Sequence, residues 1–147
     1  MVDGTFQVLL VEDSPTDVLL TREALENATM LNTLHVASNG VEAMDFLRRK
    51  GIYSDAPRPD LILLDLNMPR KNGQEVLVEI KSDESLKAIP IVMLTTSKTG
   101  TDVIEAYEHH ANCYITKPVD FDAFAEVVHS IQNFWFNVVT LPPPQKK

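Results

Sequence analysis

Apolar and polar positions follow two rhythms along this chain. Short apolar runs of strand length, Phe6 to Val11, Leu61 to Leu64, Ile91 to Leu94 and Cys113 to Thr116, are separated by stretches whose apolar residues recur at helical spacing. The run Leu61-Ile62-Leu63-Leu64 has no polar alternation, which marks a strand covered on both faces, and it is predicted to be the central strand. Thr33 to Ala37 is a weaker strand pattern. Ser14-Pro15 supplies a cap and a proline at the first helical position ahead of Val18, Leu19, Arg22, Ala24, Leu25 and Ala28. Asn39-Gly40 turns the chain into a helix over Val41 to Arg49, and Gly51 to Asp60, with Pro57 and Pro59, reads as a surface loop. After the loop Asn67 to Gly73, the residues Val76, Leu77 and Ile80 mark a third helix; Asp102 to His110 and Phe121 to Phe136 give two more. Five strands alternating with five helices predict an α/β fold, a doubly wound parallel sheet with right-handed crossovers.

The carboxyl ends of neighbouring parallel strands share one edge, so residues remote in sequence converge there. The pair Glu12-Asp13 closes the first run, Asp65 closes Leu61 to Leu64, Thr95 and Thr96 follow Leu94, and Lys117 follows Thr116. A carboxylate directly after four aliphatic residues is desolvated and calls for a cation. Magnesium suits hard oxygen ligands, and a carboxylate side chain can accept a phosphoryl group. A hydroxyl and an ammonium at the same edge suit phosphoryl oxygens, because this transfer is catalysed mainly by positioning and charge neutralisation. Taken singly, each residue has an ordinary role: acids capping the helix that starts near Pro15, a turn threonine, a solvated lysine. Their convergence predicts a magnesium-dependent phosphate acceptor.

Composition narrows the classes. The chain has 147 residues, 44% hydrophobic and 23% charged, which suits one domain, with a core over about 6–136, a tail over 137–147 and no output domain. The tail carries Pro142-Pro143-Pro144 and terminal lysines. A net charge of -8 argues against a nucleic-acid surface. No apolar run approaches the ~20 residues of a membrane span, and Met1 to Phe6 lacks the features of a signal peptide, so a cytoplasmic location is expected. Cys113 is the single cysteine and reads as a small core residue at the start of a buried strand, while His109-His110 reads as a surface pair at a helix end.

With these residues in view, the chain resembles a two-component response regulator receiver domain over about Phe6 to Phe136. The resemblance rests on Glu12-Asp13, on Asp65 within Leu61 to Pro69, on Thr95 and on Lys117-Pro118. It implies a flavodoxin-like fold with strand order 2-1-3-4-5. It further implies phosphorylation of Asp65 by a sensor histidine kinase, with Asp13, Asp65 and the main-chain carbonyl of Asn67 around Mg2+ and Glu12 reaching the ion through water. Thr95, Thr96 and Lys117 would bind the phosphoryl group, Tyr114 would change rotamer with Thr95, and the Lys117–Pro118 bond would be cis. Glu12 stands where aspartate is more frequent. Thr96 stands where a smaller residue is common, which predicts slow self-dephosphorylation.

A narrower resemblance, to the single-domain regulators of cyanobacterial phytochromes, rests on Phe134-Trp135-Phe136, Val138-Val139-Thr140-Leu141-Pro142 and Arg58-Pro59-Asp60. It implies a phytochrome-type kinase and a homodimer through the last helix and neighbouring elements. The helical pattern also places Phe124, Val128, Ile131 and Trp135 on one face and Val127, Phe134 and Val138 on another. A helix apolar on two sides buries both, so Val127, Phe134, Trp135, Phe136 and Val138 are the interface candidates, against a tail folded over its own core. Three other readings compete. An aspartate-nucleophile phosphatase would carry a second acid two residues after Asp65, where Asn67 stands. A phosphorylation-independent interaction module would not need the pocket residues, and a flavin module would need a hydroxyl-rich loop after the first strand.

Overall fold

The computed structural model describes residues 5–26 and 31–143. Five parallel strands, β1 (Phe6–Val11), β2 (Asn32–Ala37), β3 (Leu61–Leu64), β4 (Ile91–Thr95) and β5 (Cys113–Thr116), form one sheet in the order β2-β1-β3-β4-β5. Five helices alternate with them: α1 (Pro15–Glu26), α2 (Gly40–Leu47), α3 (Gly73–Lys81), α4 (Gly100–Glu108) and α5 (Phe121–Gln132). The expected order and architecture are both present. Ala28 and the segment from Pro144 onward, both part of the sequence reading, lie outside the described residues.

Side chains alternate between the two faces of each strand, so the sheet separates two cores. On one face Leu9, Val11, Ile62, Leu64, Ile91 and Met93 pack with α2, α3 and α4; on the other Val8, Leu10, Leu61, Leu63, Val92 and Leu94 pack with α1 and α5. Every residue of β3 is buried, as its unbroken aliphatic run requires.

Helix starts follow local chemistry. Asn72 and Glu75 form a reciprocal capping box on α3, and the side chains of Asn39, Thr99 and Asp120 cap α2, α4 and α5. Glycine is required at the first positions of α2 and α3. A Cβ at Gly40 would run into the carbonyl of Lys71, and one at Gly73 into the backbone of Asp65 and Leu66. The start of α3 is thereby held directly against the end of β3.

Four expectations need correction. The last helix does not continue regularly to Phe136: α5 ends at Gln132 and widens into a π-helical coil over Asn133–Val138. This coil seats Phe136 against Phe6, with ring centroids 4.0 Å apart, so Phe136 is a core residue and not an interface candidate. β5 is an edge strand, and Cys113 in it is only half-buried. Among the described residues every peptide bond is trans, Lys117–Pro118 included.

The remaining interface candidates stay accessible to different degrees. Val127 and Trp135 are partly buried against the α5 core, whereas Phe134 and Val138 are 51% and 63% exposed. On the free side of β5 the Tyr114 N–H donates to the Tyr107 hydroxyl of α4 at 3.1 Å.

Candidate functional site

The register of the strands brings the predicted residues to one edge. Val11 lies beside Leu64, and Thr95 beside Thr116, so the residues that follow them emerge together. Glu12, Asp13 and Asp65 each offer a carboxylate oxygen, and these oxygens lie within 4.8 Å of one another. Lys117 Nζ bonds Glu12 Oε1, lies 2.7 Å from Asp17 Oδ2, and lies 3.7 Å from Asp65 Oδ2.

Burial divides the acids. Glu12 is 2% exposed and Asp65 7%, while Asp13 is exposed. Both Glu12 oxygens are engaged, Oε1 by Lys117 and Oε2 by the Ser14 N–H at 3.1 Å. Asp65 Oδ1, by contrast, is buried and has no hydrogen-bond partner among the described residues. A buried carboxylate oxygen left unpaired is costly, and such sites usually await an ion or ligand.

Charge in the crevice is out of balance. Burial first, then the neighbouring Asp65, push the Glu12 carboxyl up to about 7 despite its bond to Lys117. Burial alone would lower the Lys117 ammonium, but hydrogen bonds to Asp17 and Glu12 and the charge of Asp65 outweigh it and hold the group above its usual value. One lysine thus serves three carboxylates. Hard oxygen donors and an orphaned buried Oδ1 are the features a small divalent cation fits.

The other expected residues surround this centre without all touching it. Thr95 is fully buried at the end of β4; its Oγ1 accepts from the Ser97 N–H at 3.4 Å, and its carbonyl accepts from the Lys117 N–H at 2.7 Å. Thr96 is exposed beside it. Asn67 is exposed and lines an adjacent groove of about 530 Å³ with Met68, Gln74, Asp102 and Glu105. Tyr114 points its hydroxyl back into the fold, donating to the Ser97 carbonyl at 2.8 Å. Burial keeps that hydroxyl above its ordinary value, and the charges of Asp102 and Asp65 push the same way. Ser97 in turn donates its hydroxyl to Asp102 at the start of α4. A bonded path therefore runs from the β4 end, through Ser97, to both Tyr114 and α4.

Sequence reasoning missed Asp17. It lies in the first turn of α1, where an acid has a ready explanation in the helix dipole. The available signal was its spacing of one helical turn after Asp13.

Comparison with known proteins agrees with this geometry. The response regulator receiver domain family matches residues 8–129. Response regulator Rcp1 of a Synechocystis species is 49% identical over 135 residues, covering 92% of each chain. The crystal structure of the phosphorylated cyanobacterial phytochrome response regulator RcpA superposes with a TM-score of 0.92 at 47% identity, covering 94% of this chain and 99% of that one. The Mn(2+)-bound form of Rcp1 superposes with a TM-score of 0.90 at 48% identity, covering 93% and 99%. Fold, strand-end chemistry and relatives converge: the chain belongs to the response regulator receiver domain family and is related to the phytochrome response regulators.

Proposed function

We propose that this protein is a receiver, one domain over about residues 6–136, that accepts a phosphoryl group on Asp65 from a phosphohistidine of a phytochrome-type sensor histidine kinase in the cytoplasm. The observation that carries the reading is Asp65 Oδ1, a buried carboxylate oxygen with no partner among the described residues, held beside Asp13 and Lys117. An Asp65 oxygen forms the new O–P bond while the P–N bond of the donor breaks. The electron pair leaves on the imidazole nitrogen. Asp65 is fixed for this by its own backbone, since its N–H donates to Val11 O and Gly73 brings α3 against its carbonyl.

Asp13 and Asp65, with the Asn67 carbonyl, would hold Mg2+ directly, and Glu12, whose oxygens are already engaged, would reach it through water. Bound there, magnesium supplies positive charge that neutralises the transferring group. Lys117, 3.7 Å from Asp65 Oδ2, would draw phosphoryl oxygens, and Thr95 with Thr96 would offer hydroxyls. Movement of Thr95 would pass to Tyr114 and α4 through Ser97, biasing a two-state surface on α4, β5 and α5. Exposed Phe134 and Val138, with partly buried Val127 and Trp135, support a homodimer through this side of the molecule.

The test is incubation with magnesium and acetyl phosphate followed by intact mass measurement. A gain of one phosphoryl group that disappears in Asp65→Asn is expected. Absence of any gain in the parent protein would refute the reading.

A further inference from the structure

The ion pair between Lys117 and Asp17 lies outside the phosphoryl transfer itself. Lys117 Nζ is 2.7 Å from Asp17 Oδ2 and 3.7 Å from Asp65 Oδ2. An ammonium has three N–H donors. Glu12 and Asp17 engage two of them, and the separation from Asp65 is that of an ion pair without a hydrogen bond. The hydrogen bonds of the lysine therefore go to Glu12 and to Asp17 of α1, while Asp65, the acid it is expected to assist, is met only as an ion pair.

Asp17 is not needed in this position to start α1. Its backbone N–H is capped by Ser14 Oγ at 3.3 Å, and its carbonyl accepts from the Thr21 hydroxyl at 2.8 Å. Its carboxylate is free to serve another purpose, and it is aimed at Lys117. The side chain is 28% exposed, so it can swing outward into solvent, whereas Lys117, at 5%, and Glu12, at 2%, are enclosed.

We propose that Asp17 is a positioning residue that competes with the phosphoryl group for Lys117. Its carboxylate holds the ammonium on the α1 side of the crevice in the unphosphorylated protein and yields it when Asp65 is modified. This inference rests on the phosphoacceptor reading above. A phosphoryl group brings close to two negative charges to a crevice where Glu12, Asp13, Asp17 and Asp65 already crowd together. Asp17 opposes it twice, by occupying a donor of Lys117 and by direct repulsion. It sets how tightly the crevice grips a phosphoryl group, and it ties that grip to the first turn of α1.

The experiment is titration of beryllofluoride, a non-covalent phosphoryl mimic, followed by calorimetry at saturating magnesium. It compares the parent protein with Asp17→Asn, Asp17→Ala and Asp17→Glu, each checked for parental circular dichroism. Both neutral variants are expected to bind the mimic more tightly, on the order of tenfold, as removal of one unit charge near a dianion predicts. Asp17→Glu, which restores the charge, should move affinity back toward the parent value, a rescue that a packing role would not produce. Unchanged or weaker binding in Asp17→Asn and Asp17→Ala would overturn the competition. If the parent takes up phosphoryl from acetyl phosphate while the variants bind the mimic no better than it does, only the role of Asp17 falls. If the parent neither binds the mimic nor gains phosphoryl, the phosphoacceptor reading falls as well.

Discussion

Two lysines at opposite edges of the sheet show how the same side chain can be used for structure or for chemistry. At the amino edge Lys81 Nζ donates to the carbonyls of Lys87 and Ile89 at 3.0 and 3.1 Å and to Asn112 Oδ1 at 3.2 Å. All three acceptors are neutral, and burial pulls the ammonium below its usual value. At the carboxyl edge Lys117 meets only carboxylates, which hold it above its usual value in spite of burial. Lys81 is a pin whose partners are satisfied, with Asn112 Oδ1 also accepting from the Ile91 N–H at 2.8 Å. The surroundings of Lys117 keep surplus negative charge and an Asp65 oxygen unpaired among the described residues, which is the state of a site that still has something to bind.

The contrast breaks most directly at Lys117. Lys117→Met is expected to cut phosphoryl uptake from acetyl phosphate by about a hundredfold, read by intact mass against time. Lys81→Met should leave that uptake unchanged and instead cost about 1 kcal/mol of stability by removing its hydrogen bonds to Lys87, Ile89 and Asn112, read by urea denaturation. Equal effects of the two variants on uptake would erase the distinction between pin and chemical group.

A pH titration sharpens the same contrast. Glu12 is raised to about 7 in the fold, so the folded protein retains a proton that the unfolded chain has lost. Stability without metal therefore declines as pH rises from the ordinary glutamate range through about 7. Magnesium favours the ionised carboxylate, so its affinity should rise by up to about tenfold per pH unit below that point and level off above it. Magnesium binding measured by calorimetry across this range checks the expectation; a flat profile would mean that Glu12 is ionised throughout. The smallest effect is expected at Thr96, exposed at the rim. Thr96→Ala should lose its phosphoryl group severalfold faster than the parent, and an equal rate would show that this side chain does not screen the crevice.

What the sequence revealed and what it hid follow from the range of the forces involved. The runs Phe6 to Val11 and Leu61 to Leu64 coincide with β1 and β3 because burial between helices writes itself into consecutive residues, and Cys113 to Thr116 coincides with β5 although that edge strand is only partly covered. Once strand order is known, Glu12, Asp13, Asp65, Thr95 and Lys117 must share an edge, so the site was readable as well. Phe136 was misplaced because its environment is set by Phe6, at the other end of the chain, and a contact of that separation leaves no local periodicity. The widened coil that delivers it is equally invisible to a rule with a period of 3.6 residues. Asp17 escaped because an acid in the first turn of a helix already has an explanation in the dipole, and only its ion pair with Lys117 reveals another role.

The hydroxyl of Tyr107 resting on the Tyr114 amide decides how open one border of the sheet is. β5 borders the sheet, and an uncovered border invites a foreign strand to zip alongside it. Here an intruder would first have to evict a tyrosine before forming its first backbone bond at Tyr114. Tyr107 thus guards this stretch of the border against lateral pairing by a foreign strand.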